Sequence, residues 1–394
     1  MFIGKSLTNI RILNELSRSQ LAEKLDITEQ AVWQYENGYV SPKLEVVNKM
    51  KTLFKVKSSY FFRADLLESN QSENICIERI AYRSESINSA IKTQSEFVHV
   101  KFLDAFIKKV ATKIKYPQNE LLNLRIKVLE YLNSNQNIDR DIQIRHIAKM
   151  SREHLKLPSE NNKNLLFHLE RTGVFIFEKS IGDTIDAYSL WSEDDIPYIV
   201  LGNIKKSAVR RNFDLAHELG HLLLHYKTEF NMLDKQTYKI KEDEAHLFAA
   251  EFLMPVEEFR EDVLKITKIS NPDAYIELKE KWLVSLQAMA MRARNLDLIT
   301  HQQFRYFYMS INKKGYRKNE PLDSDIPIER PMKIRSILQL LFEKKIISLE
   351  HLTDELKVDI SFLTIITGIE EDFFKKYANI EQQSFSINDL KIIK

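Results

Sequence analysis

Three histidines spaced four residues apart lie in the stretch FDLAHELGHLLLHY, residues 213–226. If this stretch is a helix, residues four apart share a face and are offset by only about 40°. His217 and His221 can therefore point imidazole nitrogens at one cation. Glu218 follows the first histidine, so its carboxylate can reach a water molecule instead of the cation. This H-E-x-x-H spacing is typical of a zinc site in which the glutamate is the general base of peptide hydrolysis.

A catalytic zinc ion needs a third protein ligand and keeps its fourth position open for water. The next predicted helix contains KEDEAHLFAAEFLMP, with Glu242 and Glu244 in its first turn at the edge of an apolar face. If the two helices cross, one of these carboxylates can meet the histidines, and spacing alone does not choose between them. His225 drifts by about 80° from His217. It is expected at the helix end or as support for a ligand.

Three short segments before these helices predict a small β-sheet, because they are rich in β-branched and aromatic residues and bounded by turn residues. The segments are TGVFIFEKS, DTIDAYSLW and IPYIVLGN. Two long helices are predicted to follow, over 205–226 and 240–253, and most of the remaining chain also has a helical pattern. The prediction is a mainly α protein with a small β-sheet, an α+β fold. IDAYSLW and IPYIVLGN are both candidates for an edge strand on which a peptide could lie.

The stretch LSRSQLAEKLDITEQAVWQYENGYVSP, residues 16–42, predicts two short helices joined by a tight turn. Ser17 and Gln20 form a capping box that opens the first helix, Thr28 caps the second, and Asn37 with the following glycine closes it. This arrangement matches the helix-turn-helix plan. A helical protein-interaction module of the same shape is the alternative.

From residue 7 to about residue 56, the chain resembles the Cro/cI-type (XRE) helix-turn-helix family, whose second helix enters the major groove of DNA. Carried over position by position, the resemblance implies that Gln30 and Gln34 read base edges and that Thr28 meets a phosphate. Arg18 stands where the family often has a phosphate-binding glutamine, and it could make that contact. The first 60 residues hold nine Lys and Arg against six Asp and Glu, which supports DNA binding only mildly.

The stretches RRNFDLAHELGHLLLH and EDEAHLFAAEFLMP resemble the ImmA/IrrE family of metallopeptidases, which have a gluzincin-like zinc site. The resemblance extends over roughly residues 160–310. It implies that His217 and His221 are zinc ligands, that Glu218 is the general base, and that Glu242 is the third ligand.

One position departs from the family pattern. Family members usually have Asn or Asp four residues after the ligand glutamate, and this chain has His246. A residue at that place would hold a ligand histidine in orientation, although His246 could also compete for the metal. Glu244 remains a weaker ligand candidate, and His225 remains a candidate supporting residue.

The composition excludes several classes of protein. The single cysteine, Cys76, excludes an internal disulfide and a cysteine-based zinc site. No apolar run approaches the roughly 18 residues that a membrane span needs, and the N-terminus lacks the pattern of a signal peptide. A cytoplasmic protein without membrane contact is therefore expected. Since the net charge is only +2, affinity for nucleic acid must come from a local patch.

Four regions are expected along the chain. They are an all-α helix-turn-helix DNA-binding domain over 1–62, a helical linker region over 63–160, a zinc metallopeptidase domain over 161–310 and a C-terminal helical region over 311–394. Two later stretches, WLVSLQAMAMRARNLDLIT and ISLEHLTDELKVDISFLTIITGI, each resemble two short helices around a turn. Each is either a second DNA-contacting unit or, as its lack of a glutamine- or arginine-rich second helix favours, a pair of scaffolding or substrate-docking helices.

The expected function is a DNA-binding transcriptional regulator with a zinc-dependent endopeptidase domain. The resemblance implies that its protein substrate is a repressor of the helix-turn-helix type. Its DNA partner would be a double-stranded operator, and a homodimer is one expected form. The alternative from a different class is a non-enzymatic transcription factor that uses the metallopeptidase fold as a sensor or docking domain.

Overall fold

The chain folds into two compact units in the computed structural model. One unit comprises residues 1–77, 84–116 and 333–394, and the other comprises residues 78–83 and 117–332. The structure describes residues 1–62, 67, 81–82, 90–113, 119–179, 187–202, 207–226, 228, 230 and 233–384. The polar stretch over 68–74, Cys76 and the start of the second predicted strand, residues 183–186, lie outside the described residues.

The described part of the first unit is helical. Its helices span Gly4–Leu13, Arg18–Leu25, Glu29–Glu36, Leu44–Phe54, Ala90–Ala111, Lys333–Glu343, Leu349–Leu356, Ile360–Thr367 and Glu371–Ser384, with a 3-10 turn at Ser58–Phe61. The predicted caps are confirmed. The Ser17 hydroxyl accepts a hydrogen bond from the backbone N–H of Gln20 at 3.1 Å, and the Gln20 side chain accepts from the backbone N–H of Ser17 at 2.8 Å. Thr28 likewise accepts from the backbone N–H of Ala31 at 3.2 Å.

The C-terminal pair of short helices, Leu349–Leu356 and Ile360–Thr367, belongs to this helical unit. Val358, in the turn between them, forms an antiparallel β-bridge with Val56. The second helix of the pair is strongly apolar and buries Phe362, Leu363 and Ile366. The inner face of this helix therefore belongs to the core of the unit, and a role of the pair in DNA contact or in scaffolding stays a prediction.

A small sheet forms one part of the second unit. Its strands are β1 (Ala81–Tyr82), β2 (Phe175–Lys179), β3 (Ala187–Trp191) and β4 (Pro197–Gly202), in the order β1-β3-β4-β2. The last three were predicted from the sequence. β4 pairs with β3 on one side, antiparallel, and with β2 on the other, parallel. The order therefore places both candidate edge strands inside the sheet: IPYIVLGN lies between β3 and β2, and IDAYSLW lies between β1 and β4. The outer edge of β3 pairs over two residues with β1.

Helices surround this sheet. They span Glu120–Ser134, Arg140–His154, Leu165–Arg171, Ala208–Leu224, Lys235–Leu253, Val256–Leu264, Ile276–Trp282, Leu286–Asn295 and His301–Lys313, with a 3-10 turn at Pro272–Tyr275. The two long predicted helices are present, and the second ends just before Pro255. Ala208–Leu224 is called the histidine helix below, and Lys235–Leu253 is called the acidic helix.

The grouping of the chain differs from the four regions expected from the sequence. Helices Glu120–Ser134 and Arg140–His154 fall in the expected linker region. Their apolar faces nevertheless lie in the same core as the histidine helix, where Leu124, Ile147 and Leu219 are fully buried. The polar stretch NSNQNIDRD, which suggested a linker, is only the connection between these two packed helices.

The histidine helix and the acidic helix cross closely at Gly220. A Cβ atom at Gly220 would lie 3.4 Å from the Cα atom of Ala245 and 3.1 Å from the ring of Phe248. Since one position has no side chain and the facing position has only a methyl group, the two backbones can approach. The crossing point lies between His217 and His221 in sequence, so it determines what the acidic helix presents to these imidazoles.

Candidate metal centre

His217, His221 and Glu242 form one compact group at this crossing. The Nε2 atoms of the two histidines are 3.0 Å apart. The carboxylate oxygens of Glu242 lie 3.4 Å from His217 Nε2 and 3.3 Å from His221 Nε2. A tetrahedral zinc ion with bonds of about 2.0–2.1 Å sets neighbouring ligand atoms about 3.3 Å apart. The 3.4 Å distance involves Oε2 of Glu242 and the 3.3 Å distance involves Oε1, so the separations fit a cation held by two nitrogen atoms and the Glu242 carboxylate.

Burial sets the protonation states of this group. It lowers the pKa of the His217 imidazole to about 3, against the raising effect of the hydrogen bond to Glu242. Burial alone would raise the pKa of Glu242, but hydrogen bonds with His217 and His221 outweigh it and hold that pKa well below its usual range. His217 is therefore a neutral imidazole and Glu242 an ionised carboxylate. These are the forms that a metal ion requires, because ligands must be deprotonated to bind it.

Glu218 is fully buried on the histidine helix. Its backbone carbonyl accepts a hydrogen bond of 3.2 Å from the hydroxyl of Ser189 in β3. Further along the same strand, the indole N–H of Trp191 donates to the carbonyl of Leu222 at 2.8 Å. These bonds fix β3 alongside the histidine helix at the level of Glu218.

The other glutamate in this part of the acidic helix, Glu244, makes different contacts. Its carboxylate accepts two hydrogen bonds of 3.0 Å from the guanidinium of Arg140 and one of 2.8 Å from Nε2 of His225. The Nδ1 atom of His225 in turn lies 2.9 Å from Nδ1 of His221. His225 thus lies at the end of the histidine helix between a ligand candidate and a carboxylate. Sequence reasoning missed Arg140, because this residue lies in a helix that was expected to be part of a linker.

His246 lies beside the group without joining it. Its Nδ1 donates to the backbone carbonyl of Glu242 at 2.7 Å, and its ring centroid is 4.6 Å from that of His217. In the part of the chain that the structure describes, the buried Nδ1 atom of His217 has no hydrogen-bond partner. The contact of His246 with a ligand histidine is therefore one of ring packing.

A cavity of about 420 Å³ opens beside the group. It runs from His221 and His225 along β3 to Trp191 and Glu193, and Tyr226 and Phe230 form part of its wall. A concave site next to a strand edge can receive side chains of an extended peptide.

The predicted DNA-contacting residues lie around the helix Glu29–Glu36. Thr28 and Gln30 are exposed, and Gln34 is half-buried. The Nε atom of Arg18 donates to Glu36 at 2.5 Å, while 42% of the Arg18 side chain stays exposed. The expected phosphate contact would therefore come from a guanidinium that is already paired on one side.

Glu36 is a functional position that sequence reasoning missed. Its buried carboxylate accepts from Arg18 and also from Nε of Arg11 at 2.5 Å, so it joins three helices of the first unit. The available signal was its spacing of four residues from Val32, which places it on the inward face of its helix.

Family comparisons agree with both parts of this description. Residues 7–61 match a family model described as helix-turn-helix, and residues 169–294 match one described as IrrE N-terminal-like domain, in the peptidase M78 family. The chain joins a helix-turn-helix domain to an IrrE N-terminal-like domain. These matches confirm the expected fusion of a domain of a DNA-binding type with a metallopeptidase-like domain. A search of curated proteins found no match.

The IrrE N-terminal-like domain contains the metal-binding candidates and their neighbours on both helices. Arg140 lies outside its matched range. Among the described residues, no helix combines the length and apolar character needed to cross a bilayer.

Burial makes the stability of the metal-free IrrE N-terminal-like domain depend on pH. It lowers the pKa of His225 to about 4, against the raising effect of Glu244, whereas the unfolded value is about 6.5. The unfolded chain binds more protons between these values, so stability should fall as the pH drops from about 6.5 towards 4. The test is urea unfolding with a chelator at pH 7 and pH 5, followed by Trp191 and Trp282 fluorescence in a Trp33→Phe background. His225→Gln should weaken the dependence of the free energy of unfolding on pH. The same pH dependence in this variant and in wild type would contradict the role of His225.

Proposed function

We propose that this protein is a DNA-binding transcriptional regulator whose second domain is a zinc-dependent endopeptidase. The observation that carries the proposal is the convergence of His217 Nε2, His221 Nε2 and the Glu242 carboxylate at separations of 3.0 to 3.4 Å. Two imidazole nitrogens and one carboxylate are a usual donor set for catalytic zinc. Three protein ligands leave a position open for chemistry, whereas structural zinc sites are closed by four.

The chain's residues divide the work of hydrolysis. His217, His221 and Glu242 hold the ion, which when bound supplies a Lewis acid that polarises a peptide carbonyl and activates water. The Glu218 carboxylate accepts a proton as water attacks the carbonyl carbon, and it returns a proton to the leaving amine nitrogen. The C–N bond breaks, and the products are a carboxylate and an amine. A site that only stabilised the fold would have no use for the Glu218 carboxylate.

The substrate proposed for this site is an extended segment of a protein. β3 lies beside the histidine helix, and the adjoining cavity can take side chains of an extended peptide. The family resemblance supports a helix-turn-helix repressor as the protein that is cut, with derepression as the result. An attached DNA-binding domain would raise the local concentration of the peptidase at promoters where such a repressor is bound.

The DNA-binding domain is proposed to read an operator with Gln30 and Gln34. A glutamine amide can bond bidentately to adenine in the major groove. Thr28 and the exposed part of Arg18 would contact phosphates. Such contacts position the protein on the duplex but do not distinguish one base sequence from another. A homodimer would bind two half-sites about one helical turn apart.

The ligand set predicts about one zinc ion per chain. His217→Ala and Glu242→Ala each remove one of three protein donors, so both should lose most of the metal. Elemental analysis of purified, dialysed protein measures this. Asp243→Ala is the matched control, because it removes an exposed carboxylate next to Glu242 and should leave the zinc content unchanged. Wild-type zinc content in both ligand variants would overturn the site.

Glu218→Gln separates catalysis from metal binding. The amide cannot act as a base, so this variant should keep its zinc and lose proteolysis. The test is to express wild type and variant in cells carrying the gene's own locus and to search by mass spectrometry for truncated helix-turn-helix proteins. The fragments should occur only with wild type. If the regulated genes respond equally to both proteins, the non-enzymatic transcription factor is the better description.

Gln30→Ala should weaken binding to a specific operator by about 1–3 kcal/mol, the value of one bidentate base contact. The operator is the sequence that the wild-type protein selects from a random duplex library. Binding to unrelated duplex DNA should change little, because phosphate contacts supply that affinity. Gln302→Ala, at an exposed glutamine of the other unit, is the control. Equal losses on specific and unrelated DNA would contradict base reading by Gln30.

A further inference from the structure

Arg140, Glu244 and His225 form a continuous chain of hydrogen bonds that ends on His221. We propose that this chain is a positioning device that fixes the ring orientation and the tautomer of His221, so that its Nε2 lone pair points at the metal position. The inference rests on the proposed metal site and deepens it, since it assigns roles to residues that bind neither metal nor substrate.

The direction of each proton follows from the contacts. An ionised carboxylate can only accept, so His225 Nε2 carries the hydrogen that points at Glu244. A neutral His225 then has its lone pair on Nδ1 and can only accept there. The 2.9 Å contact between the two Nδ1 atoms is a hydrogen bond only if His221 carries its proton on Nδ1. With a cation bound between His221, His217 and Glu242, this arrangement leaves the Nε2 lone pair of His221 free to bind it.

The opposite proton arrangement would prevent metal binding. If His225 donated from Nδ1, His221 would accept on Nδ1 and a neutral His221 would carry its hydrogen on Nε2. That hydrogen would occupy the direction in which the ligand lone pair must point. The carboxylate of Glu244 excludes this arrangement because it requires the hydrogen of a neutral His225 on Nε2.

Arg140 holds the carboxylate in the required plane. Its Nε and Nη2 atoms donate to the two oxygens of Glu244, at 3.0 Å each, in the two-pronged geometry that gives arginine its directional preference. Lys241 approaches Glu244 at 3.4 Å and adds positive charge. The His225 side chain is fully buried and that of Glu244 nearly so, which limits competition from water. A lysine at position 140 could supply the positive charge but not the two parallel hydrogen bonds of a guanidinium group.

The two histidine ligands differ in their support. Within the described residues, His217 Nδ1 has no partner, and His246 uses its Nδ1 on the carbonyl of Glu242. The orientation of the ligand pair therefore depends mainly on the His221 side. Because Arg140 lies outside residues 169–294, this support comes from a helix beyond the family-matched domain.

Zinc affinity of the full-length chain tests the proposal. His225→Leu and Glu244→Ala should each weaken zinc binding by roughly 10- to 100-fold, as is usual for loss of a residue that orients a ligand histidine. The dissociation constant is measured by competition with a chromogenic chelator. Asp243→Ala is the control, since it removes an exposed carboxylate one residue from Glu244 and should bind zinc like wild type. Equal affinities in all four proteins would overturn the proposal.

A second readout does not depend on metal or activity. Nitrogen-15 NMR of histidine-labelled, metal-free protein reports which ring nitrogen carries hydrogen. Because the Glu242 carboxylate also attracts hydrogen to Nε2 of metal-free His221, the comparison is between proteins: the share of His221 with hydrogen on Nδ1 should be larger in wild type than in Glu244→Ala. His225→Gln, whose amide can both accept and donate, should stay within a few-fold of wild-type affinity and serves if the leucine variant does not fold. A wild-type protein that shows this difference from Glu244→Ala but binds no zinc would refute the proposed function and leave the positioning chain standing. An equal share of the Nδ1–H form in both proteins would refute the chain.

Discussion

The close approach of two helices at Gly220 is the constraint on which the candidate site depends. The H-E-x-x-H spacing places two imidazoles on one face of a helix, but it supplies no third ligand. The third ligand candidate, Glu242, lies on the acidic helix, and a crossing without bulky side chains lets that helix approach near enough. Ala245 faces Gly220 at this point. From the other side, the buried ion pair between Arg292 and Glu251, with two bonds of 2.6 Å, anchors the acidic helix.

Burial at this crossing has both a cost and a chemical use. Removing imidazoles and a carboxylate from water disfavours their charged forms. In the low local dielectric, each buried polar group that lacks a hydrogen-bond partner destabilises the fold. A divalent cation would satisfy the two imidazoles and the carboxylate together. The surrounding contacts are arranged to hold the groups still: Ser189 bonds to the helix backbone at Glu218, and the chain from Arg140 ends on His221. Preorganised ligands of this kind are what a reactive site needs.

Buried arginine–carboxylate contacts do comparable work in the DNA-binding domain. Glu36 binds Arg11 and Arg18 and so fixes the helix that carries Gln30 relative to two neighbouring helices. A base-reading amide needs such rigidity, because bidentate contacts tolerate little displacement. In both domains, then, a network of arginine and carboxylate side chains lies behind the candidate functional residues.

The sequence by itself determined the local features of this protein. The spacing of apolar residues and the capping residues predicted the helices that begin after Ser17 and Thr28. The same spacing predicted the histidine helix, because these signals act over one or two helical turns. The H-E-x-x-H spacing likewise predicted that His217, Glu218 and His221 lie on one helix, because it extends over little more than one turn. The approach of Glu242 to the histidines and the separate contacts of Glu244 depend on how the two helices cross. Residue spacing alone did not choose between these glutamates, and only the family resemblance pointed to Glu242. Only the tertiary structure decided that the helix of Arg140 packs into the core and reaches Glu244, since residues so far apart in the chain meet through packing, which no local pattern encodes.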